Sequence, residues 1–181
     1  LIEVKRALSW AQKEALDVVC LPECYLTGYY RTPEEAGAHS IELGSALFSQ
    51  LMIELRQFDP VVIFGLMERS GRELFNSAVI VERGRVLGLY RKQHLIESAF
   101  SPGRESPVFE RDGVRYGVNI CYDANFPEAA TALAARGAEA IFYPLNNSLP
   151  HSTAGKWRSQ HVEILSARAR ECSAWVISAD V

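Results

Sequence analysis

The sequence predicts an α/β fold in a single domain. Continuous apolar runs of strand length, such as residues 18–21 and 61–66, alternate with segments in which apolar residues recur at helical spacing. Strands that are apolar on both sides must be covered on both faces, and helices packed on a sheet provide that cover. With 181 residues, of which 48% are apolar, the chain can bury a substantial core. We therefore expect one layered α/β domain over residues 1–181.

The first half of the chain predicts two rounds of helix and strand. An opening amphipathic helix precedes the strand at residues 18–21, and Ser40 is expected to cap a second helix before the strand at residues 61–66. The apolar face of the first helix comprises Val4, Ala7, Leu8, Ala11 and Ala15, and that of the second comprises Leu43, Leu47, Leu51 and Leu55.

Two short apolar runs, residues 77–81 and 86–89, flank a segment containing Gly84 and predict a β-hairpin. A loop rich in Pro and Gly follows at residues 101–107. The remaining elements repeat the alternation of strand and helix. They are a strand at 114–120, a helix from Pro127 to near Gly137, a strand at 141–143, a helix at 152–172 and a strand at 175–178.

Composition narrows the class of protein. The formal charge of −3 and the pI of about 5.9 give no basic face for a nucleic acid. No apolar run approaches the roughly 20 residues that span a bilayer, and the first residues do not form a signal peptide, so we expect no membrane association and a cytoplasmic location. The four cysteines form no CxxC pair and are too sparse for a disulfide framework, so we expect reduced thiols and no metal site.

Three reactive side chains lie at or just beyond the ends of apolar strands. They are Glu23, Lys92 and Cys121. In open α/β sheets such strand ends converge on a crevice, so the three can meet there. Each alone has an ordinary explanation, since a buried cysteine is usually a small hydrophobic residue and most charged side chains are solvated. A Cys-His dyad with His94 is an alternative, but it leaves Glu23 and Lys92 unexplained.

The motifs around these residues resemble the nitrilase superfamily of carbon-nitrogen hydrolases. They are PE-x-x-x-TGY at residues 22–29, YRK-x-HL at 90–95, CYD-x-x-FPE at 121–128 and RA-x-E at 168–171. The CYD form is similar to the amidase-like branches, whereas true nitrilases tend toward CWEN. Resemblance to amidase-like members implies a small amide-like substrate and no cofactor.

This resemblance also implies a four-layer α-β-β-α sandwich, usually assembled as a homodimer, with a Glu-Lys-Cys triad at Glu23, Lys92 and Cys121. Family members have a strand before the first helix and further strands after the position of Val181, so we expect the sandwich to be incomplete at both termini in this chain. A second family glutamate upstream of a Pro-Gly pair corresponds to Glu97, where it would orient Lys92 or the substrate.

The residue types suit amide hydrolysis through a thioester. A carboxylate within hydrogen-bonding reach can take the thiol proton of Cys121, which assigns Glu23 as the base. Lys92 and the backbone N–H of Tyr122 are expected to hold the oxyanion. Four residues in loops after strands either line the substrate pocket or serve only as turn residues. They are Tyr29, Asn146, Asn147 and His151.

Three other functions fit the same residues. A nitrilase or an acyl transferase would use the same thioester on the same fold. A non-catalytic, dimeric interaction protein would retain the motifs without a closed pocket.

Arg168 and Glu171, three residues apart on the last helix, are expected to form a structural ion pair.

Overall fold

The computed structural model of the chain describes residues 1–147 and 151–181, except for the side chains at positions 151, 153, 154, 156 and 157. Its helices are α1 (Ile2–Lys13), α2 (Pro33–His39), α3 (Ala46–Leu55), α4 (Pro127–Ala134) and α5 (His151–Cys172). Its strands are β1 (Val18–Cys20), β2 (Val61–Ser70), β3 (Glu73–Glu82), β4 (Arg85–Arg91), β5 (Val108–Arg111), β6 (Val114–Val118), β7 (Ala140–Pro144) and β8 (Trp175–Ala179).

The strands form two sheets of four. In the first sheet the order is β1-β2-β3-β4, with β1 parallel to β2 and the other pairs antiparallel. In the second sheet the order is β5-β6-β7-β8, with an antiparallel first pair and parallel pairs after it. The predicted α/β class is therefore confirmed.

The buried apolar residues fall into clusters that lie between these layers. On one face of the first sheet, Val62 and Phe64 pack against helices α1 and α3. Their neighbours Val61 and Ile63 point to the other face and pack against strands of the second sheet. A third cluster joins the second sheet to helices α4 and α5. Alternation along each strand thus separates a helix-facing side from a sheet-facing side, and the layers follow as helix, sheet, sheet, helix.

The second predicted helix begins in a different place. Ser40 does not cap it, because Ser40 ends helix α2, which the sequence interpretation missed. Ile41 instead bridges to Glu68 of strand β2, so the chain is extended there. Helix α3 starts five residues later, where the Ser45 hydroxyl accepts a hydrogen bond from the Phe48 N–H. Leu43 precedes the helix but still packs against its cluster.

Other boundaries moved for identifiable reasons. Ala15 adopts a positive φ of 53° just after helix α1 has ended, so it does not belong to the helical stripe. The hairpin strands β3 and β4 are longer than predicted because their pairing continues through polar residues. Strand β5 follows the predicted loop, in residues for which no element was predicted, and β6 ends at Val118, two residues before its predicted end. Within the described part of the chain, no helix is long and apolar enough to cross a bilayer.

Candidate active site

Glu23 lies in a tight loop after strand β1 and is only 1% exposed. Its N–H donates to the carbonyl of Leu145, which lies just beyond strand β7 of the other sheet. The loop also packs directly on strand β2 at Gly65. A Cβ at position 65 would lie 2.3 Å from the Cys24 nitrogen, so glycine is what permits this close approach.

Lys92 follows strand β4 and is held against the carboxylate of Glu23. Its Nζ donates to Glu23 Oε1 at 2.7 Å, and the side chains of both residues are buried. Burial lowers the pKa of Lys92, but the negative charge of Glu23 and its hydrogen bond, together with smaller contributions from nearby groups, outweigh this effect and the pKa is raised. Lys92 therefore stays a cation inside the protein, paired with an anionic partner.

Cys121 is the first residue of a short 3₁₀ turn that follows strand β6. It adopts a positive φ of 42°, in the left-handed region that non-glycine residues rarely enter and that is enriched at functional sites. Burial, and then the charge of Glu23, raise the pKa of the thiol to about 12, while Lys92 and the backbone of Asn146 act in the opposite direction. The resting group is accordingly a neutral thiol, which needs a base before it can attack.

The carboxylate of Asp123 joins the Cys121 turn to the segment that follows Lys92. Its Oδ2 accepts hydrogen bonds from the N–H of Ile120 at 2.9 Å and from the hydroxyl of Tyr90 at 2.8 Å. Its Oδ1 accepts the N–H of His94 at 2.9 Å and lies 2.8 Å from His94 Nδ1. Asp123 is fully buried, and its hydrogen bonds connect Tyr90 of the first sheet with the turn that follows β6 of the second sheet.

Glu97 is 7% exposed and lies near enough to Lys92 for its charge to act on that group. The hydroxyl of Tyr29 donates to its Oε1, and its charge contributes to raising the pKa of Lys92. Burial raises the pKa of Tyr29, and the charge of Glu23 and the hydrogen bond to Glu97 raise it further. Tyr29 is therefore a neutral donor, with both carboxylates close to it.

Two carboxylate oxygens at the site are buried without a hydrogen-bond partner among the described residues. They are Glu23 Oε2 and Glu97 Oε2. A buried acceptor left without a donor costs free energy, about 1–3 kcal/mol for an ordinary group. Because the other oxygen of each carboxylate is already occupied, these two are the acceptors that the site offers to a substrate or a transferred proton.

The remaining predicted site residues differ in where they lie. Tyr122 follows Cys121 in the turn, and its ring packs edge-on against Phe126. Asn146 Nδ2 donates to the backbone carbonyl of Glu23 at 3.5 Å, which places Asn146 beside the triad. The side chain of Asn147 donates to Asp180 at 2.7 Å, a contact that joins the ends of β7 and β8. Its predicted part in substrate binding stays a prediction, and the side chain of His151 lies outside the described residues.

His94, the alternative partner for Cys121, contacts Phe126 and Asp123 instead. The ring of His94 stacks on Phe126 with centroids 3.8 Å apart, and its Nδ1 faces Asp123. These contacts agree with a structural role for His94. The predicted ion pair of Arg168 and Glu171 is confirmed at 2.8 Å. Nowhere in residues 1–147 and 151–181 do three or more potential metal ligands cluster.

The sequence interpretation assigned no role to Asn76 or Asp123. Asn76 donates to Glu23 Oε1 at 2.7 Å, and both residues are almost completely buried. A signal was present for each: Asn76 is a polar residue on the strand of a predicted core hairpin, and Asp123 falls inside the cysteine motif. Buried polar residues need partners, which makes such positions candidates for support of a site.

A cavity of about 600 Å³ lies away from this site. Consecutive residues of a strand point to opposite faces, so Arg91 faces the cavity while Lys92 faces Glu23. Arg91 is already paired with Glu68 at 2.5 Å and lies over the ring of Phe75. A reaction requires reactive groups that converge, and these converge at Glu23 and Lys92, not at the cavity. The cavity is lined by Glu73, Phe75, Leu89, Arg91, Ser101, Pro102, Gly103, Arg104 and Glu105.

Comparison with known proteins gives a consistent set of matches. The family model described as carbon-nitrogen hydrolase matches residues 1–180. A nitrilase from Pyrococcus abyssi is 32% identical over 98% of this chain and 67% of its own length. An (R)-stereoselective amidase from Pseudomonas sp. is 34% identical over 86% of this chain and 55% of its own length. The chain thus spans between about half and two thirds of such relatives.

Solved structures agree with the sequence matches. The crystal structure of an amidase from Nesterenkonia sp. superposes with a TM-score of 0.78 at 26% identity and covers 98% of this chain and 67% of its own. Another structure of the Nesterenkonia sp. AN1 amidase, a mutant, has a TM-score of 0.78 at 25% identity, over 98% of this chain and 70% of its own. It shows the result of Michael addition of acrylamide at the active site cysteine.

Proposed function

Because the chain belongs to the carbon-nitrogen hydrolase family, we propose that it hydrolyses the carbon-nitrogen bond of a small linear amide or carbamoyl compound through a cysteine thioester. Cys121 is the nucleophile, Glu23 the base and Lys92 the oxyanion partner. One observation carries the proposal: the buried ion pair between Lys92 Nζ and Glu23 Oε1 at 2.7 Å, within electrostatic range of the Cys121 thiol.

The reaction begins with proton transfer from the Cys121 thiol to Glu23 as the sulfur attacks the carbonyl carbon. A carbon-sulfur bond forms and the carbonyl oxygen becomes an oxyanion, which Lys92 Nζ and the N–H of Tyr122 stabilise. Since the pKa of Lys92 is raised, the positive charge is present at the moment it is needed. Removal of one oxyanion donor typically costs about 100- to 1,000-fold in rate.

Collapse of this intermediate breaks the carbon-nitrogen bond. Glu23 returns its proton to the leaving nitrogen, so ammonia or an amine departs and a thioester remains on Cys121. Water then attacks the thioester, with Glu23 again taking the proton. The carbon-sulfur bond breaks, the acid is released and the sulfur regains a proton.

Glu97 positions the reacting groups in this proposal. With Oε1 occupied by the Tyr29 hydroxyl, its buried Oε2 is available to accept an N–H of the substrate amide. Such a contact holds the carbonyl carbon in line with Cys121, and correct positioning lowers the barrier without any proton transfer. Tyr29 and Asn146 complete the substrate-facing set, which is supported by their contacts with Glu97 and Glu23.

The names of the relatives favour an amide or carbamoyl substrate over a nitrile. Besides the amidase from Pseudomonas, they include an N-carbamoylputrescine amidase from Solanum tuberosum and a 2-oxoglutaramate amidase from Bacillus subtilis. The nitrilase from Pyrococcus abyssi supports a nitrile as the alternative substrate. Assays with a matched amide and nitrile separate the two, because both give the same acid and ammonia and only the substrate that is consumed distinguishes them.

We also propose a homodimer in the cytoplasm. The dimer is expected from the family resemblance, and a monomer by light scattering at micromolar concentration would contradict it. The four cysteines are free thiols in the structure. A cysteine nucleophile must be reduced to react, which agrees with a reducing compartment.

The proposed function is tested by incubating the protein with a panel of short linear amides, carbamoyl amines and nitriles. We expect ammonia release from at least one amide or carbamoyl compound, together with an acyl adduct on the peptide that contains Cys121, detected by mass spectrometry after acid quench. Absence of ammonia and adduct across the panel would contradict catalysis and favour the interaction protein. An adduct on a different cysteine would remove Cys121 as nucleophile.

A further inference from the structure

Asn76 is a buried polar residue on strand β3 that contacts both charged members of the proposed triad. Its side-chain Nδ2 donates to Glu23 Oε1 at 2.7 Å. Its backbone carbonyl accepts the N–H of Lys92 at 2.8 Å. Asn76 therefore fixes the distance between Glu23 and Lys92 from the rigid interior of the first sheet, where it is 1% exposed.

The amide of Asn76 is held in one orientation. The thiol of Cys24 donates to Asn76 Oδ1 at 3.5 Å, so the Nδ2 end is directed at the carboxylate. The reverse orientation would bring Oδ1 against the anionic Glu23 oxygen, which is electrostatically unfavourable. Burial raises the pKa of Cys24 well above its ordinary value, and the charge of Glu23 raises it further, so the thiol keeps its proton to donate.

We propose that Asn76 is a positioning residue that selects which oxygen of Glu23 acts as the base. Lys92 Nζ and Asn76 Nδ2 both donate to Oε1, whereas Oε2 is buried with no hydrogen-bond partner in the described part of the chain. Two donors stabilise negative charge on Oε1 and stop the carboxylate from rotating. Oε2 is thereby the oxygen that exchanges protons with Cys121 and the leaving nitrogen. This inference rests on the proposed function.

Charged and titratable groups surround the Glu23 carboxylate. Lys92, just after β4, places a cation at Oε1, and the Glu97 carboxylate lies in the following loop. Cys121, Cys24 and Tyr29 lie near it as neutral groups, each with a pKa above its ordinary value. Asn76 adds a donor that favours the anion without adding a charge, so its removal should make Glu23 easier to protonate.

The test replaces Asn76 in two ways. Asn76→Asp keeps the shape but exchanges the donor for an oxygen, and Asn76→Leu removes the donor without adding charge. Hydrogen bonds to charged groups correspond to roughly a 10- to 100-fold effect, so we expect kcat/KM at pH 7 to fall by about that factor in both variants. The acidic limb of the pH profile of kcat/KM should move to higher pH, further for Asn76→Asp than for Asn76→Leu.

A matched control is available on the same strand. Ser77 is equally buried but points to the opposite face, where its hydroxyl donates to Glu68 at 2.7 Å. Ser77→Ala should lower stability through loss of that bond and leave the acidic limb in place. If the folded Asn76 variants lose activity equally at every pH, or if Ser77→Ala moves the limb as they do, Asn76 has only a structural role and the inference is wrong. If Asn76→Asp does not fold by circular dichroism, Asn76→Leu decides.

A second measurement separates this inference from the proposed function. The rate of Cys121 alkylation by iodoacetate, which contains no amide, is followed on its peptide by mass spectrometry from pH 5 to 9 and needs Glu23 as a base but no substrate. Suppose that the acidic limb of the alkylation profile shifts in Asn76→Asp while the wild type releases no ammonia. The proposed hydrolase function would then be wrong, and the role of Asn76 would stand. If the wild type releases ammonia but both Asn76 variants keep its acidic limb, the role of Asn76 is wrong and the hydrolase function stands.

Discussion

The two halves of the candidate site are held in place by different forces. Glu23 and Lys92 come from the first sheet and are fixed by a buried ion pair and the amide of Asn76. Cys121 comes from the second sheet and is presented by a turn with positive φ that the Asp123 carboxylate ties down. The proposed base is therefore positioned by side-chain electrostatics, and the proposed nucleophile by backbone geometry. Substitutions in the first half should disturb charge balance, and those in the second should disturb position.

Substitution of Cys121, the proposed nucleophile, should have the largest effect. Cys121→Ser nearly preserves size but replaces the thiol by a hydroxyl of much higher pKa, which Glu23 is too weak a base to activate. We expect ammonia release to fall by at least about a thousandfold with an unchanged circular dichroism spectrum. Cys172→Ser, a partly buried cysteine outside the site, is the control and should keep near wild-type turnover. Substantial turnover by Cys121→Ser would end the assignment of the nucleophile.

Breaking the ion pair should destabilise the first half most. Lys92→Met leaves the buried Glu23 carboxylate without its cation, which typically costs about 3–5 kcal/mol. The urea midpoint should fall accordingly, and adding Glu23→Gln should recover most of the loss because both charges are then gone. Lys5→Met, which breaks the more exposed pair of Lys5 and Glu54, should hardly change the midpoint. If Lys92→Met were as stable as the wild type, the pair would not hold this half together.

In the second half, Asp123→Asn should loosen the turn. The substitution removes the charge that accepts hydrogen bonds from Ile120, Tyr90 and His94, and loss from such a buried network costs about 1–3 kcal/mol. We expect a lower urea midpoint together with slower alkylation of Cys121 at fixed pH. Asp17→Asn, at a carboxylate that is two-thirds exposed, provides the comparison and should change neither quantity. An unchanged alkylation rate in Asp123→Asn would show that the Cys121 turn keeps its conformation without the Asp123 carboxylate.

The smallest effect should appear in alkali. The pKa of Cys121 in the folded chain is about 12, above its ordinary value of 9.0, so its protonated form stabilises the fold below pH 9 and this contribution is lost as the pH rises toward 12. Wild type should therefore lose stability relative to Cys121→Ser between pH 8 and 10.5, measured as the difference in urea midpoints. Cys20 and Tyr116, whose pKa values are also raised to about 12, are present in both proteins and cancel. A constant difference would contradict the raised pKa.

The alternation of helices and strands was predictable because apolar periodicity is a local property of the sequence. Caps were harder: Ser40 and Ser45 are both plausible helix starts, and only the bridge from Ile41 to Glu68 decides between them. Strand β5 was not predicted from the sequence, because a four-residue edge strand shows little apolar periodicity.

The same distinction applies to the site. Its reactive residues follow strands within recognisable motifs, so the sequence alone could propose Glu23, Lys92 and Cys121 as a set. The supporting residues were not, because a hydrogen bond from Asn76 to a residue 53 positions away depends on sheet register. Long-range pairing of that kind is fixed only when strands β1, β2 and β3 have paired in the first sheet.

The close approach of the Glu23 loop to Gly65 limits how this protein can be diversified. Any side chain at position 65 would meet the backbone of Pro22, Glu23 and Cys24, which are not free to move without displacing the carboxylate. In a saturation library, position 65 should tolerate essentially one residue type, although glycine carries no reactive group. Variation intended to broaden substrate range is better directed to Tyr29 and Asn146, where side chains and not main chain face the site.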